Sequence, residues 1–282
     1  MKRNSKKNNN YFINDEINKK TKEKKIIQNY SLLKTNQILI AGKHSILSAL
    51  NNKNRKLHYL ITNDTNFSKW KEEINKLKLK LAIKIKSKEE MDKINNYKSH
   101  QNVILITEPL QRLSMDEFLY QHKLNYKTPI RLIILDEVTD PQNVGAIIRS
   151  ALAFKMDCLA LSQRNSPQET SALIKASSGA IEKLQIIELS NMSREIKKLQ
   201  KSNFSVYGLA GEGKNDVYEL ENETGNVALI LGSEGKGLRR LTKENVDSLI
   251  KIPINAKSDS LNVSNAASVA MFQLQKNIKK IK

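Results

Sequence analysis

The sequence predicts an α/β protein built on a mostly parallel sheet, and three observations carry that prediction. Short apolar runs such as LIIL at 132–135 lack the polar alternation of a half-exposed strand, as expected of strands buried on both faces. Between them lie segments with apolar residues at i, i+3, i+4 and i+7, the spacing of helices that cover a sheet. Polar or glycine-containing turns follow several of the runs, where ligand-binding groups gather in open α/β sheets.

Taken in order, residues 1–36 hold ten basic residues, three acidic residues and eight asparagines, with little apolar periodicity. This is the composition of a disordered basic arm, which either adds sequence-independent affinity for a polyanion or keeps the chain soluble. Order is expected from Ile38. ILIAGKHSILSAL reads as a short strand or turn followed by a helix carrying Ile46, Leu47 and Leu50. Strands at 57–61, 81–85 and 103–106 then alternate with helices at 70–79 and 88–95, which makes 37–112 a small α/β domain of its own. Residues 113–129 are polar, with a few apolar anchors, and end at Pro129, so a linker is expected there. From 130 to 282 the alternation resumes with longer strands at 131–135, 157–161, 185–189, 205–209, 227–231 and 249–254. Helices are expected at 141–154, 169–177, 192–202, 239–245 and 262–279.

Charge narrows the partner. The chain of 282 residues has a formal net charge of +19. Residues 130–282 hold 21 basic and 17 acidic residues, and residues 1–129 hold the remaining 27 and 12, a net of +4 against +15. An excess of lysine in one half points to a polyanion, with nucleic acid first, held by loose phosphate attraction more than by bidentate base reading. Cys158 is the only cysteine, so neither an intramolecular disulfide nor a cysteine metal cluster can form, and its apolar neighbours place it in a buried strand. The histidines, His44, His58, His100 and His122, lack metal-ligand spacing, so no metal is expected. With no run near the ~18 apolar residues of a membrane span, and no apolar core of a secretory signal, a cytoplasmic protein without membrane contact is expected.

Three segments carry chemistry. In DEVTDPQNVGAIIRSA, at 136–151, Asp140 is placed to cap a helix and Pro141 to open it. Val144, Ile147, Ile148, Ala151 and Leu152 form its apolar face, which leaves Asn143 and Arg149 off the stripe. The turn GSEGKG at 232–237 holds Glu234 among Gly232, Gly235 and Gly237, and GLAGEG at 208–213 begins at Gly208. Neither turn has dinucleotide or P-loop spacing, and glycine there lets the backbone approach a ligand closely. The third segment, IPINAKSDSLNVS at 252–264, leads into a helix with a small-sided face of Ala266, Ala267, Ser268 and Ala270, suited to close packing against another helix.

Together, N-x-G-A-x-x-R-[ST]-A at 143–151, L-G-S-E-G-x-G at 231–237 and I-P…S-L-N-V-S at 252–264 resemble the three motifs of SpoU-type RNA 2′-O-ribose methyltransferases of the SPOUT class. KASSGAIEKLQI at 175–186 is similar as well, and the preceding domain resembles the small ribosomal-protein-like RNA-binding module of many members. The resemblance implies a C-terminal α/β trefoil-knot domain, a homodimer, and S-adenosylmethionine as cofactor. It places Gly232, Ile252, Leu261 and Ser260 against that cofactor, with Gly208 and Gly235 nearby. Arg149 would act on the ribose hydroxyl, with Asn143, Glu234 and Asn262 as its catalytic partners. The resemblance assigns Arg149 to activating that hydroxyl; because a guanidinium normally keeps its proton, stabilisation of a developing alkoxide is the alternative role.

The expected reaction is methylation of a ribose in RNA, with a guanosine of large-subunit ribosomal RNA as the first substrate. A transfer-RNA methyltransferase and a non-catalytic RNA-binding assembly factor are the alternatives. The charge asymmetry yields a first prediction. If residues 1–129 supply most of the RNA affinity, deleting them should weaken RNA binding and flatten its salt dependence while cofactor binding survives. An unchanged slope of log K against log salt would show that the charge is compositional drift.

Overall fold

The computed structural model describes residues 36–125, 128–163, 166–258 and 260–278. The expected basic arm, up to residue 35, lies outside them. Two sheets organise the chain.

The smaller sheet contains β1 (Ile38–Ala41), β2 (Leu57–Thr62), β3 (Ala82–Ile85) and β4 (Val103–Thr107) in the order β1-β4-β2-β3. It is mixed: β4 runs antiparallel to both β1 and β2, while β2 and β3 are parallel. Helices α1 (Lys43–Asn51), α2 (Asp64–Lys76) and α3 (Lys88–Ile94) connect its strands. Helix α2 starts earlier than the apolar pattern indicated, because the Asn63 side chain accepts the Asn66 N–H and caps a polar first turn. Trp70 and Ile74 carry its buried face. Helix α3 opens with a capping box between Ser87 and Glu90.

The larger sheet is parallel throughout, in the order β10-β12-β9-β11-β6-β7-β8-β5. Its strands are β5 (Leu113–Ser114), β6 (Arg131–Asp136), β7 (Cys158–Ser162), β8 (Gln185–Leu189), β9 (Phe204–Leu209), β10 (Asn215–Asp216), β11 (Asn226–Gly232) and β12 (Ser248–Lys251). Its helices are α4 (Met115–Asn125), α5 (Pro141–Ala153), α6 (Ser171–Ser177), α7 (Met192–Lys201), α8 (Arg240–Asn245) and α9 (Val263–Ile278), with short 3-10 turns at Ala180–Glu182 and Val217–Asn222. Alternate residues of the central strands enter two cores. Ile133, Leu135, Leu229 and Leu231 pack with α5 and α9, and Leu132, Ile134, Ala228 and Ile230 pack with α4 and α7. Burial on both faces is why these strands read as continuous apolar runs. Cys158 is buried in β7, as expected, and burial pushes its thiol pKa upward.

Two expectations are corrected. Residues 113–129 do not form a plain linker. Leu113–Ser114 pairs with β8 at the sheet edge, and α4 lays Met115, Phe118 and Leu119 into the second core. The strand is too short to show a period, and so few apolar anchors make a weak helical pattern. The strand expected at 249–254 ends at Lys251, and Ile252, Pro253 and Ile254 leave the sheet as loop. Pro253 has no N–H with which to continue a ladder.

Gly145 allows α5 to touch α6. A Cβ at that position would lie 2.5 Å from Ala176 Cβ and 2.8 Å from the Leu173 carbonyl. Helix α9 returns from the β12 end of the sheet to pack on α5 and on the 3-10 turn at Val217–Asn222.

The correction at 113–129 generates a second prediction. Truncation after Pro129 would remove an edge strand and open the second core, so a fragment that keeps the larger sheet must begin before Leu113. Phe118→Ala should cost about 3–5 kcal/mol in urea unfolding, the usual price of an aromatic cavity. A loss below ~1 kcal/mol would mean that α4 does not belong to this core.

Candidate active site

Because the larger sheet is parallel, its strands deliver their carboxyl ends to one edge. The loops after β6, β11 and β12 meet there. Each comes from one of the segments singled out in the sequence.

The first loop is tied down by a residue the sequence reading passed over. Asp136, the last residue of β6, is fully buried. It accepts hydrogen bonds from Arg239 Nε at 2.7 Å, from the Arg239 backbone N–H at 3.2 Å and from Thr242 Oγ1 at 2.7 Å. Arg239 also reaches it with a second guanidinium nitrogen at 2.6 Å. A buried carboxylate needs such partners, and here they join the start of the β6–α5 loop to the segment leading into α8. Glu137 follows with φ 60°, a left-handed conformation that turns the chain sharply away from the strand. The available signal was an aspartate at the end of an otherwise apolar run.

Asp140 caps α5 as expected, accepting the N–H groups of Gln142 and Asn143. This holds Asn143 in the first helical turn. Asn143 Nδ2 donates to Glu234 Oε2 at 3.1 Å, and Asn143 Oδ1 accepts from Asn262 Nδ2 at 3.1 Å. Asn262 Nδ2 lies 3.5 Å from Glu234 Oε1 as well. On its other side Asn262 Oδ1 accepts from the Ser264 N–H at 2.9 Å and the Ser264 hydroxyl at 2.6 Å.

The network has a direction. A backbone N–H can only donate, so the Asn262 atom facing Ser264 must be its oxygen, and its amide nitrogen must face Asn143. Asn143 therefore presents its oxygen to Asn262 and its nitrogen to the Glu234 carboxylate. One carboxylate and two amides from three loops are oriented by one main-chain donor.

Glycine sets the shape of the second loop. Gly232 ends β11 where a Cβ would lie 2.1–2.3 Å from the Gly237 and Leu238 backbone, and Ser233 and Gly237 close the turn with paired backbone hydrogen bonds. Gly235 has φ 81°, and a Cβ there would meet nothing within 4 Å, so its backbone lies open. In the third loop Ile252 is half-buried, Ser260 is exposed, and Leu261 and Ile254 are 39% and 42% exposed, an apolar lip beside polar loops. Gly208 is different. It is buried within β9, where its missing side chain makes room for Leu238 and Leu249.

Arg149 is not drawn into the amide network. It stands on α5 six residues beyond Asn143, about 9 Å along the axis, and its side chain is exposed. Next to it Ser150 Oγ accepts from Ser268 Oγ of α9 at 2.9 Å. Phe154, the half-buried C-cap of α5, meets Phe272 of α9 edge to face, and Phe272 and Val269 of α9 are 48% and 38% exposed. Arg149 thus stands on the helix that packs against the partly uncovered α9, while Asn143, Glu234 and Asn262 meet at the loop edge.

Comparison with known proteins follows this division of the chain. The profile described as the SpoU rRNA Methylase family matches residues 131–272, and that described as RNA 2'-O ribose methyltransferase substrate binding matches residues 39–113. The 23S rRNA (guanosine-2'-O-)-methyltransferase RlmB of Pasteurella multocida is 34% identical over 241 residues, covering 83% of this chain and 96% of its own length. RlmB of Vibrio cholerae is 34% identical over 200 residues, covering 70% of this chain and 78% of its own. Among solved structures, the SpoU methyltransferase AviRb from Streptomyces viridochromogenes, in complex with AdoMet, has a TM-score of 0.74 at 18% identity over 90% of this chain and 98% of its own. An AdoMet-bound rRNA methyltransferase from Sinorhizobium meliloti has a TM-score of 0.73 at 20% identity over 90% of this chain and 94% of its own. With its three motif loops assembled at one sheet edge and a family profile spanning the domain that holds them, this chain belongs to the SpoU rRNA methylase family.

Proposed function

We propose that this protein is an S-adenosylmethionine-dependent methyltransferase acting on the 2′-hydroxyl of a guanosine ribose in 23S-type ribosomal RNA, in the cytoplasm. The observation that carries this reading is the network of Asn143, Glu234 and Asn262, which joins all three motif loops at the carboxyl edge of the sheet. The substrate class follows the RlmB relatives, which cover most of the chain, and the domain at 39–113 is the part that would hold the RNA.

The loops fit the cofactor. Open backbone at Gly235, the tight turn beginning at Gly232, the half-buried Ile252 and the apolar lip of Leu261 suit a ligand with a flat base and a polar tail. Ser260 adds a hydroxyl to the same lip. Gly208 packs beneath these loops, where its missing side chain leaves room for Leu238 and Leu249. When bound, the cofactor supplies a methyl group on a sulfonium. The chain through 252–258 and 260–262, returning as α9 against α5 and the turn at Val217–Asn222, is read as the threaded segment of a trefoil knot.

The protein must hold the ribose hydroxyl in line and stabilise the oxygen as its proton departs. Glu234, held by two amide donors, is a fixed acceptor for a ribose hydroxyl at the rim of the site. Arg149 donates to the 2′-oxygen as negative charge develops, and its planar fork also grips the neighbouring phosphate. Arg149 lies outside the amide network of its own chain, on the helix that packs against α9, whose Phe272 and Val269 are exposed. A homodimer packed through α5 and α9 would cover those side chains and bring Arg149 of one protomer to the loops of its partner.

The third prediction follows. Arg149→Ala should lower single-turnover methyl transfer to saturating RNA by ~10²–10³-fold, with affinity for S-adenosylhomocysteine unchanged. Arg149→Lys should fail as well, since an ammonium cannot reproduce the fork. Near-normal single-turnover rates for Arg149→Ala would sink the role given to Arg149. If the wild-type chain transfers methyl to no RNA, the binding-factor alternative takes over.

A further inference from the structure

The small domain does not hang from the larger one by a tether; a buried cluster of charge joins them. Arg55, between α1 and β2, has a side chain with no solvent exposure. Its Nε and one terminal nitrogen reach the two oxygens of Glu182 at 3.1 and 2.5 Å, a bidentate grip. The same terminal nitrogen lies 2.5 Å from Glu169 Oε1, and the other donates to the Glu108 carbonyl at 2.9 Å. Asn52 Nδ2 adds a bond to Glu182 Oε2 at 2.9 Å, and Glu169 Oε2 accepts the Leu110 N–H at 2.8 Å. The Glu182 and Glu169 side chains are only 1% and 5% exposed. Burial raises the Glu169 carboxyl pKa against the lowering pull of Arg55.

Shape agrees with charge. Gly179, with φ 81°, lies so near α1 that a Cβ would approach Ser48 Oγ to 2.3 Å. Ile174 of α6 is buried in the apolar core of the small domain. The KASSGAIEKLQI segment, left without a role by the active-site loops, is therefore the docking surface for the small domain.

One guanidinium and two carboxylates buried together are a poor way to gain stability, because desolvation offsets most of the attraction. What they specify is geometry: a bidentate pair tolerates one relative orientation. Domains within a chain otherwise move relative to one another by default. Glu169 directly precedes the cap of α6, in the connection that leaves β7 at the same sheet edge as the motif loops. The two domains enclose a polar cleft of about 670 Å³ at that junction, with Lys98 of one and Gln168 of the other in its walls.

We propose that Arg55 is a positioning residue for the RNA, locking the small domain at one angle so that bound RNA meets the catalytic edge in a single register. This rests on the reading of the small domain as the RNA-holding part. A pre-set angle removes an ordering cost from RNA binding and leaves the transfer step untouched.

The test uses the full chain with Arg55→Met and, as a milder variant, Glu182→Gln. Spin labels on cysteines at the exposed positions Lys80 and Lys197, diluted into unlabelled protein, report the angle; Cys158 is buried and stays unlabelled. The expected result for Arg55→Met is a narrow distance distribution that broadens, with a KM and a directly measured Kd for a 23S-type RNA transcript that rise at least ten-fold. The kcat should stay within about three-fold, and S-adenosylhomocysteine affinity should be unchanged. An unchanged KM and Kd overturns the proposal, even where thermal stability falls, because that outcome is purely structural. A rise in KM with an unbroadened distribution overturns it too. If Arg55→Met loses cofactor binding through misfolding, Glu182→Gln is read by the same criteria. If no RNA is methylated by the wild type, the reaction assignment fails on its own, and the distance distribution with the RNA Kd still decides the lock.

Discussion

A buried carboxylate at the end of the central strand sets the geometry of the whole catalytic edge. Asp136 gathers the Arg239 guanidinium and backbone N–H and the Thr242 hydroxyl, so two chain segments about a hundred residues apart leave the sheet in fixed relation. Removal of one partner from such a cluster leaves an uncompensated buried charge, which is far more costly than the cluster is favourable. From this anchor the strained Glu137 turn and the Asp140 cap follow in sequence, and they deliver Asn143 to Glu234.

The amide network is the chemical counterpart of that anchor. Ser264 at the start of α9 dictates which way Asn262 points, Asn262 dictates Asn143, and Asn143 meets the Glu234 carboxylate. A parallel sheet alone would bring the three loops near one another; the chain of donors and acceptors fixes their orientation. Arg149 stands apart, exposed on the helix that packs against α9, which carries the exposed Phe272. Helix α5 therefore serves the loop edge with its first turn and exposes Arg149 further along.

Gly145, Gly179 and Gly232 each mark a place where two backbones approach more closely than a side chain permits. Gly145 brings α5 onto α6, Gly179 brings α6 and its following turn onto the small domain, and Gly232 closes the motif turn. Contacts thus run from the small domain through α6 and α5 to the loop edge. The Arg55 cluster sits at the start of that path.

Sequence by itself determined the parallel α/β architecture, because strands buried on both faces must be apolar throughout and the helices between them amphipathic. It also marked the motif loops with Asn143, Arg149 and Glu234, since polar residues and glycines after apolar strands are conspicuous, while Asn262 entered through the family resemblance. Only the tertiary structure decided what depends on partners distant in the chain. A two-residue strand such as Leu113–Ser114 has no period to read, and it exists because β8 offers an edge. Pro253 ended the last strand earlier than its apolar neighbours indicated. That Gly208 leaves room for Leu238 and Leu249 was visible only in the packing. Asp136 and Arg55 were ordinary charged residues in the sequence. Their importance comes from burial and from partners roughly a hundred residues away, and burial of a charge is a property of the folded chain alone.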